Sequence, residues 1–250
     1  MGGVGHDDKE TDGEGVTDAP HQRHLESRIM HEVSLALHGL PAGQPMVAVF
    51  GSARATPEGE DYATARRVAV ALGHSGFGVI TGGGPGIMEA ANRGAHESGA
   101  LSLGASIVLS HEQVSNRYLD RETRFQFFFT RKLALLRSSC GFLCFPGGFG
   151  TVDELFQALT LIQTDKLPHF PVVLFGVSYW GGLIEWMTTT LVEAGAIEAR
   201  DRGLLLVTDD PAAAVERFRA CHQTLCARLG PGPHYPDARI SGWEVTHGNG

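Results

Sequence analysis

The stretch GFLCFPGGFGTVDE, residues 141–154, joins a short apolar run to a glycine-rich loop and then to a helical pattern. The apolar run predicts a buried strand from Gly141 to Phe145, and the pattern from Thr151 to about Gln163 predicts a helix. Residues 77–96 repeat this order, because FGVIT is followed by GGGPG and a second helical pattern. Glycine-rich turns from strand to helix are typical of α/β proteins that bind nucleotides.

The rest of the chain continues the alternation of apolar runs and helical patterns. Further strands are predicted at Met46–Phe50, Leu101–Leu109, Pro171–Phe175 and Leu204–Val207. A first helix is predicted over Leu25–Leu40, while Phe125–Phe129 fits either a strand or the start of a helix. Buried strands that alternate with helices form parallel sheets covered on both faces. We therefore predict an α/β fold, a doubly wound Rossmann-like parallel sheet with its ligand at the carboxyl ends of the strands.

The two ends of the chain differ from this pattern. Residues 1–24 are rich in Gly, Asp and Glu, so we expect a disordered acidic tail, followed by a single domain over residues 25–229. Residues 230–250 carry several Pro and Gly and are expected to form a flexible tail. Because we find neither a leader peptide nor an apolar membrane span, we expect a cytoplasmic protein that does not enter a membrane.

Charge and metal-ligand spacing exclude several classes of function. The formal net charge is −8, and the chain has only three lysines, Lys9, Lys132 and Lys166, so no basic face for nucleic acid is expected. The four cysteines lack C-x-x-C spacing and the histidines do not cluster, so we expect no metal and no cofactor. The ligand should be a small anion that is bound by local geometry.

Both glycine loops are candidates for that anion, and each also has a simpler explanation. In the first, Gly83 and Gly84 let the backbone approach a ligand, although a tight turn also uses glycine. In the second, the amides of Gly147, Gly148 and Gly150 and the hydroxyl of Thr151 could hold a phosphate, or Thr151–Glu154 could form a capping box. The local pattern alone does not separate a helix cap from a catalytic residue at Glu154.

Taken together, these residues resemble the Lonely Guy (LOG) family of cytokinin riboside 5′-monophosphate phosphoribohydrolases, many of which are labelled lysine decarboxylase-like. The family motif P-G-G-x-G-T-x-x-E matches Pro146–Glu154 without a gap, and its Arg-Lys pair matches Arg131-Lys132. Its G-G-G-x-x-G-x-M loop is matched only in part, at Gly82–Gly84 and Met88, and Phe50–Ser52 resembles its first strand-end turn. The resemblance covers roughly residues 47–206.

The resemblance implies an enzyme that hydrolyses a purine nucleoside 5′-monophosphate, including the cytokinin type, to free base and ribose 5-phosphate. It implies a homodimer, or a larger assembly of dimers, with active sites near the subunit interface. Glu154 and Arg131 would be catalytic, and Gly147, Gly148, Gly150 and Thr151 would hold the phosphate. The sequence does not rank adenine against an N6-substituted adenine as the preferred base.

Elementary chemistry gives these residues distinct roles. A carboxylate beside C1′ stabilises the positive charge that develops on the ribose and can orient water, so we expect Glu154 to be ionised and aided by its helix N-terminus. Arg131 is too basic to be an acid and would orient the substrate through its rigid fork. Weaker candidates for ligand contact are Lys132, Ser52, Arg54, Glu89 and Asn92.

Two other functions compete with hydrolysis. The same fold could bind a nucleotide or cofactor without catalysis, in which case Glu154 is only a helix cap. A lysine decarboxylase that uses pyridoxal phosphate would need a Schiff-base lysine, for which only Lys132 is suitably placed, and no cofactor motif accompanies it.

Overall fold

The computed structural model describes residues 19–38, 40, 44–109, 114–167 and 170–229. Within these ranges the strands are β1 Met46–Phe50, β2 Gly78–Thr81, β3 Ser102–Ile107, β4 Arg121–Phe125, β5 Phe142–Cys144, β6 Val172–Phe175 and β7 Leu205–Thr208. The α-helices are α1 Ala19–His38, α2 Glu60–His74, α3 Ile87–Glu97, α4 Phe128–Arg137, α5 Phe149–Gln163, α6 Val177–Trp186 and α7 Pro211–Leu229. A π-helical turn at Met187–Leu191 extends α6, and a 3₁₀ turn at Ala199–Leu204 precedes β7.

The seven strands form one parallel sheet in the order β4-β3-β2-β1-β5-β6-β7. The predicted doubly wound α/β fold is therefore confirmed. The order reverses at β1, because β2 lies on one side of it and β5 on the other. A crevice opens at the carboxyl ends of two strands that flank such a switch point, which is where ligands bind in open α/β sheets.

Alternate side chains of the strands enter two separate cores. Val47 and Val49 of β1 pack with α2, α3 and α7, while Ala48 and Phe50 pack with α1, α4, α5 and α6 on the opposite face. The central strand is buried on both faces, so it reads as an uninterrupted apolar run. This packing holds β1 and β5 in place, and it thereby fixes where the loops that follow these two strands begin.

Two segments differ from the sequence prediction, and the predicted tails are largely not described. Helix α1 begins at Ala19, before the predicted start at Leu25, and ends at His38. The ambiguous segment Phe125–Phe129 divides, because it contains the last residue of β4 and the first residues of α4. Residues 1–18 of the predicted acidic tail and the predicted tail 230–250 lie outside the described residues.

Candidate functional site

A cleft of about 730 Å³ opens at the switch point between β1 and β5. Two backbone hydrogen bonds join its walls, from the amide of Ser52 to the carbonyl of Pro146 at 2.9 Å and from Phe145 to Phe50 at 2.8 Å. Predicted site residues that line it are Ser52, Arg54, Arg131, Gly147, Gly148, Gly150 and Thr151. The fold therefore brings the second glycine loop, the first strand-end turn and the arginine of α4 to one place.

The second glycine loop presents free amide groups to this cleft. Helix α5 begins at Phe149 with Gly148 as its N-cap. The amides of Thr151 and Val152 donate to the carbonyl of Gly148, whereas those of Gly148, Phe149 and Gly150 donate to no acceptor among the described residues. Unpaired amides at a helix start, together with the helix dipole, form an anion site.

The glycines of this loop have two different reasons to be glycine. A Cβ on Gly147 would lie 2.2 Å from Oγ1 of Thr151, so this position has no room for a side chain. A Cβ on Gly148 or Gly150 would meet no heavy atom within 4 Å. The first glycine is required by packing, whereas the other two keep the cleft wall open to a ligand.

The capping-box interpretation of Thr151 and Glu154 is wrong. Thr151 is the third residue of α5 and not its N-cap, and no side chain caps this helix. The helix begins at Phe149, two residues earlier than predicted, and its first turn includes Gly150. The carboxylate of Glu154 is consequently free of any role at the helix start.

Glu154 instead forms a buried pair with Arg131 of α4. Nη2 of Arg131 lies 3.6 Å from Oε1 of Glu154, and the whole of Glu154 is only 2% exposed. Nε of Arg131 and Oε2 of Glu154 are buried without a hydrogen-bond partner among the described residues. Leaving such atoms unsatisfied costs about 1–3 kcal/mol each, a cost that proteins keep mainly at functional sites.

Burial also changes the proton affinity of the pair. Desolvation raises the pKa of Glu154 to about 7, against the opposing charges of Arg131 and Lys132. The expectation of an ionised carboxyl at neutral pH is thus met only in part, and Glu154 lies in the second turn of α5, beyond the reach of the first amides that were expected to aid its ionisation. Desolvation likewise lowers the pKa of Arg131. The carboxyl therefore changes charge near neutral pH.

The first glycine loop is held largely by the protein itself. The amide of Gly83 donates to Oγ1 of Thr81 at 2.9 Å, and Nδ2 of Asn116 lies 3.1 Å from the carbonyls of both Gly83 and Gly84. At Gly86, φ is 69° and a Cβ would lie 2.3 Å from the carbonyl of Ser52. The loop therefore packs directly against the turn that follows β1. Of Gly82, Gly83 and Gly84, Gly82 alone lines the main cleft.

The structure places the remaining candidates away from the main cleft. Gly83 and Gly84 line a neighbouring cleft beside β3 and β4. Glu89 accepts a 2.9 Å hydrogen bond from the hydroxyl of Tyr62, and Lys132 forms a 2.6 Å ion pair with Asp153. Asn92 is buried and bonded to Thr81, Ser102 and Asn116, so it supports the core and does not face a ligand.

Among the cleft residues that the sequence did not indicate, Tyr179 is the one that forms a hydrogen bond to the second glycine loop. Tyr179 of α6 lines the cleft, and its hydroxyl donates to the carbonyl of Gly147 at 2.7 Å. This bond satisfies the carbonyl of Gly147, the residue that precedes the unpaired amides. No local pattern around Tyr179 indicates the contact, because its partner lies 32 residues away in the chain.

The cleft does not fit pyridoxal phosphate, because no lysine of the described ranges lines it. Lys132 is held by Asp153, and Lys166 is exposed beyond the end of α5. Lys9 lies outside the described residues. In the described part of the chain we find no group of three His, Cys, Asp or Glu side chains that could hold a metal, and no helix that is long and apolar enough to cross a bilayer.

A family model described as "Possible lysine decarboxylase" matches residues 88–218, more than half of the chain. The match contains α4, the second glycine loop and Glu154. The chain belongs to this family, the LOG family. The matched segment begins inside α3, so α1, β1 and the first glycine loop precede it.

Curated relatives of this LOG protein carry names of nucleotide-cleaving enzymes. It is 24% identical over 156 residues to the cytokinin riboside 5′-monophosphate phosphoribohydrolase LOG4 of Arabidopsis thaliana, a match that covers 60% of this chain and 72% of that one. It is 28% identical over 174 residues to the pyrimidine/purine nucleotide 5′-monophosphate nucleosidase of Escherichia coli, covering 64% of this chain but 37% of the relative. A probable LOG4 phosphoribohydrolase of rice is 28% identical, and 57% of its length is covered.

Solved structures share the fold of this LOG protein. The molybdenum cofactor carrier protein of Chlamydomonas reinhardtii superposes with a TM-score of 0.55 at 22% identity, covering 72% of this chain and 99% of that one. The molybdenum cofactor binding protein of Rippkaea orientalis gives 0.52 at 20% identity, covering 71% and 96%. At this identity the likeness establishes the architecture alone.

Proposed function

We propose that this protein hydrolyses the N-glycosidic bond of a purine nucleoside 5′-monophosphate and releases free base and ribose 5-phosphate. The observation that carries the proposal is the buried Arg131–Glu154 pair, whose Nε and Oε2 atoms find no hydrogen-bond partner in the described part of the chain, beside α5 amides that are equally unpaired there. The names of the relatives in Arabidopsis and Escherichia coli support the same substrate class.

The 5′-phosphate binds first in this proposal. Its oxygens accept hydrogen bonds from the amides of Gly148, Phe149 and Gly150 and from the hydroxyl of Thr151. Each charge-assisted bond of this kind contributes about 1.5–3 kcal/mol, and the helix dipole adds to the attraction. Because the phosphate is remote from the bond that breaks, its binding energy positions C1′ for the reaction.

The chemical step uses Glu154 as an anion. As the bond between C1′ and the base nitrogen lengthens, its electron pair leaves with the base and positive charge develops on the ribose. The ionised carboxylate stabilises that charge and accepts a proton from the water whose oxygen bonds to C1′. The departing base nitrogen takes up a proton from solvent and Glu154 returns the proton of water to solvent, so the net reaction adds OH to C1′ and H to the base, and the ribose keeps the 5′-phosphate.

Arg131 stands between Glu154 and the cleft. Its guanidinium lines the cleft and packs 5.8 Å from the ring of Phe128, whereas Glu154 itself does not line it. We propose that the bound nucleotide draws the guanidinium towards its own oxygens, which opens Oε2 of Glu154 to C1′. Since the ion pair at 3.6 Å is loose, this movement breaks no short hydrogen bond.

A homodimer completes the proposed assembly. Phe149 at the start of α5 is 95% exposed, and Phe128 and Phe129 at the start of α4 are more than half exposed. These rings lie at the starts of the two helices that carry the site, and exposed aromatic clusters are typical of subunit interfaces. They support the proposal that a second copy covers this face, which stays a prediction.

The decisive experiment measures base release. We expect the purified protein to release adenine from AMP and to have a kcat/KM for adenosine at least about 10³-fold lower, because adenosine lacks the phosphate contacts. Chromatography of the products detects adenine and ribose 5-phosphate, and N6-substituted AMP in parallel ranks the bases. Binding of AMP without any release of adenine would instead favour the non-catalytic nucleotide-binding protein.

Gly150→Ala is expected to raise stability and lower activity. Alanine in place of a helical glycine stabilises by about 0.5–1 kcal/mol, and the new methyl group meets no protein atom within 4 Å. The same methyl keeps the phosphate from the amides, so kcat/KM for AMP should fall about tenfold. Thermal unfolding and steady-state kinetics measure the two effects.

Gly181→Ala in α6 is the matched control for this variant. Gly181 is exposed, lies in a helix and also has open space where a Cβ would stand, but it does not line the cleft. We expect it to raise the unfolding midpoint by a similar few degrees with unchanged kinetics. Full activity in Gly150→Ala would contradict the placement of the phosphate at this helix start.

A further inference from the structure

Helix α1, which precedes the segment that the family model matches, contributes a buried carboxylate to the loop between β4 and α4. Glu32 is 6% exposed and faces the loop between β4 and α4. Its Oε1 accepts a 2.7 Å hydrogen bond from the amide of Gln126. Its Oε2 accepts from the amide of Phe127 at 3.3 Å and from the hydroxyl of Thr130 at 2.6 Å.

This carboxylate holds the start of a helix that has no side-chain N-cap among the described residues. The N-cap of α4 is Phe127, whose side chain has no hydrogen-bonding atom. Helix starts are normally satisfied by Ser, Thr, Asp or Asn at that position. Glu32 instead forms a cap from outside the helix, since it accepts from the amides of Gln126 and Phe127 and from the hydroxyl of Thr130, and its negative charge suits the positive end of the α4 dipole. Arg28 of α1 also contacts this residue, because its guanidinium lies 6.0 Å from the centre of the Phe127 ring.

The cap is connected directly to the catalytic arginine. The amide of Arg131 donates to the carbonyl of Phe127 at 3.2 Å, and the Thr130 hydroxyl is also 2.8 Å from that carbonyl. Thus the peptide groups on both sides of Phe127 are held, one by Glu32 and one by the turn that carries Arg131. Displacement of this turn would move the guanidinium relative to Glu154 and the cleft.

We propose that Glu32 is a positioning residue, which fixes the first turn of α4 and thereby the guanidinium of Arg131 for the reaction. The inference rests on the proposed function, and it gives the helix α1 a role in catalysis that does not require contact with substrate. Because the phosphate binds on α5, loss of this cap should affect the chemical step more than the binding of nucleotide.

The test is Glu32→Gln, with Glu26→Gln at an exposed position of the same helix as its matched control. Glutamine keeps the size of the side chain, but its amide nitrogen faces hydrogen-bond donors and cannot accept from them. We expect kcat for AMP, calculated per nucleotide-binding site, to fall about 10- to 100-fold. KM and the AMP dissociation constant should stay within about threefold of wild type. The control should retain wild-type kcat and KM.

A double-mutant cycle with Arg131→Ala separates positioning from general loss of stability. If Glu32 acts through Arg131, Glu32→Gln should not lower kcat further once the guanidinium is absent. A loss that multiplies in full with that of Arg131→Ala would overturn the proposal, as would unchanged kcat in Glu32→Gln. If Glu32→Gln fails to fold, Thr130→Val serves in its place, because it removes one of the three hydrogen bonds to Glu32. It is expected to lower kcat by a smaller factor.

A second measurement keeps this inference separate from the proposed activity. If the wild-type protein binds AMP but releases no adenine, the proposed function fails, yet amide hydrogen exchange still reports the first turn of α4. Faster exchange over residues 126–131 in Glu32→Gln, but not in Glu26→Gln, is expected. Unchanged exchange there would overturn the capping role itself.

Discussion

Glu154→Gln is expected to lower kcat for adenine release from AMP by about 10³-fold, while the dissociation constant of AMP changes by less than about threefold. The amide has nearly the same shape as the carboxyl, but it can neither accept the proton of water nor carry the negative charge that stabilises the ribose cation. The phosphate contacts on α5 are untouched, so binding persists. Single-turnover kinetics and calorimetric titration of AMP measure the two quantities.

Asp153→Asn is the matched control for this variant on the same helix. Asp153 is the adjacent acidic residue, its side chain is 57% exposed, and its partner is Lys132, not Arg131. The Lys132 side chain is only 19% exposed, so the pair is half-buried, but Asp153 does not line the cleft, and activity within about threefold of wild type is therefore expected. Equal activity of Glu154→Gln and wild type would remove the carboxylate from the mechanism and leave the site as a binding site.

The fold could be predicted from the sequence where strands are buried on both faces. Strands β1, β2, β5 and β6 consist of apolar runs, which the alternation with helices identifies without ambiguity. Strand β4, RETRF, was missed because it is an edge strand with an exposed, charged face. Periodicity detects burial, and an edge strand with one buried residue offers little of it.

The site was predictable only in its contiguous part. The nine-residue motif placed Glu154 and the phosphate loop together, and the resemblance to the LOG family added Arg131. Glu32 and Tyr179 act on atoms far away in the chain, so no spacing rule could indicate them. The incorrect capping box has a related cause, since Thr151–Glu154 fits that pattern locally and only the surrounding packing sets the helix start.

The pH dependence of kcat/KM is expected to follow the ionisation of Glu154. Because burial raises the pKa of this carboxyl to about 7 and the mechanism needs the anion, activity should fall about tenfold for each pH unit below 7 and level off above it. The carboxyl carbon of Glu154, observed by ¹³C NMR and assigned by its absence in Glu154→Gln, reports the same ionisation in the free enzyme. A midpoint near pH 4.5 in that titration would contradict the assignment.

The same raised pKa predicts that the Glu154 carboxyl destabilises the fold at high pH. Between pH 4.5 and 7 the unfolded chain has lost the proton of Glu154, whereas the folded chain retains it. The contribution of Glu154 to the free energy of unfolding is therefore greatest below pH 4.5. It declines as pH rises and is lost above pH 7. At about 1.4 kcal/mol for each tenfold change in ionisation, the contribution amounts to about 3 kcal/mol.

Glu154→Gln should therefore be more stable than wild type at pH 8 and similar to it at pH 4.5, as measured by urea unfolding at both pH values. The neutral amide resembles the protonated carboxyl, which is the form that burial favours. Removing one partner of a buried ion pair usually destabilises a protein, so the opposite sign here depends on desolvation outweighing the loose contact with Arg131. Lower stability of the variant at pH 8 would mean that the ion pair prevails, and activity should then persist well below pH 7.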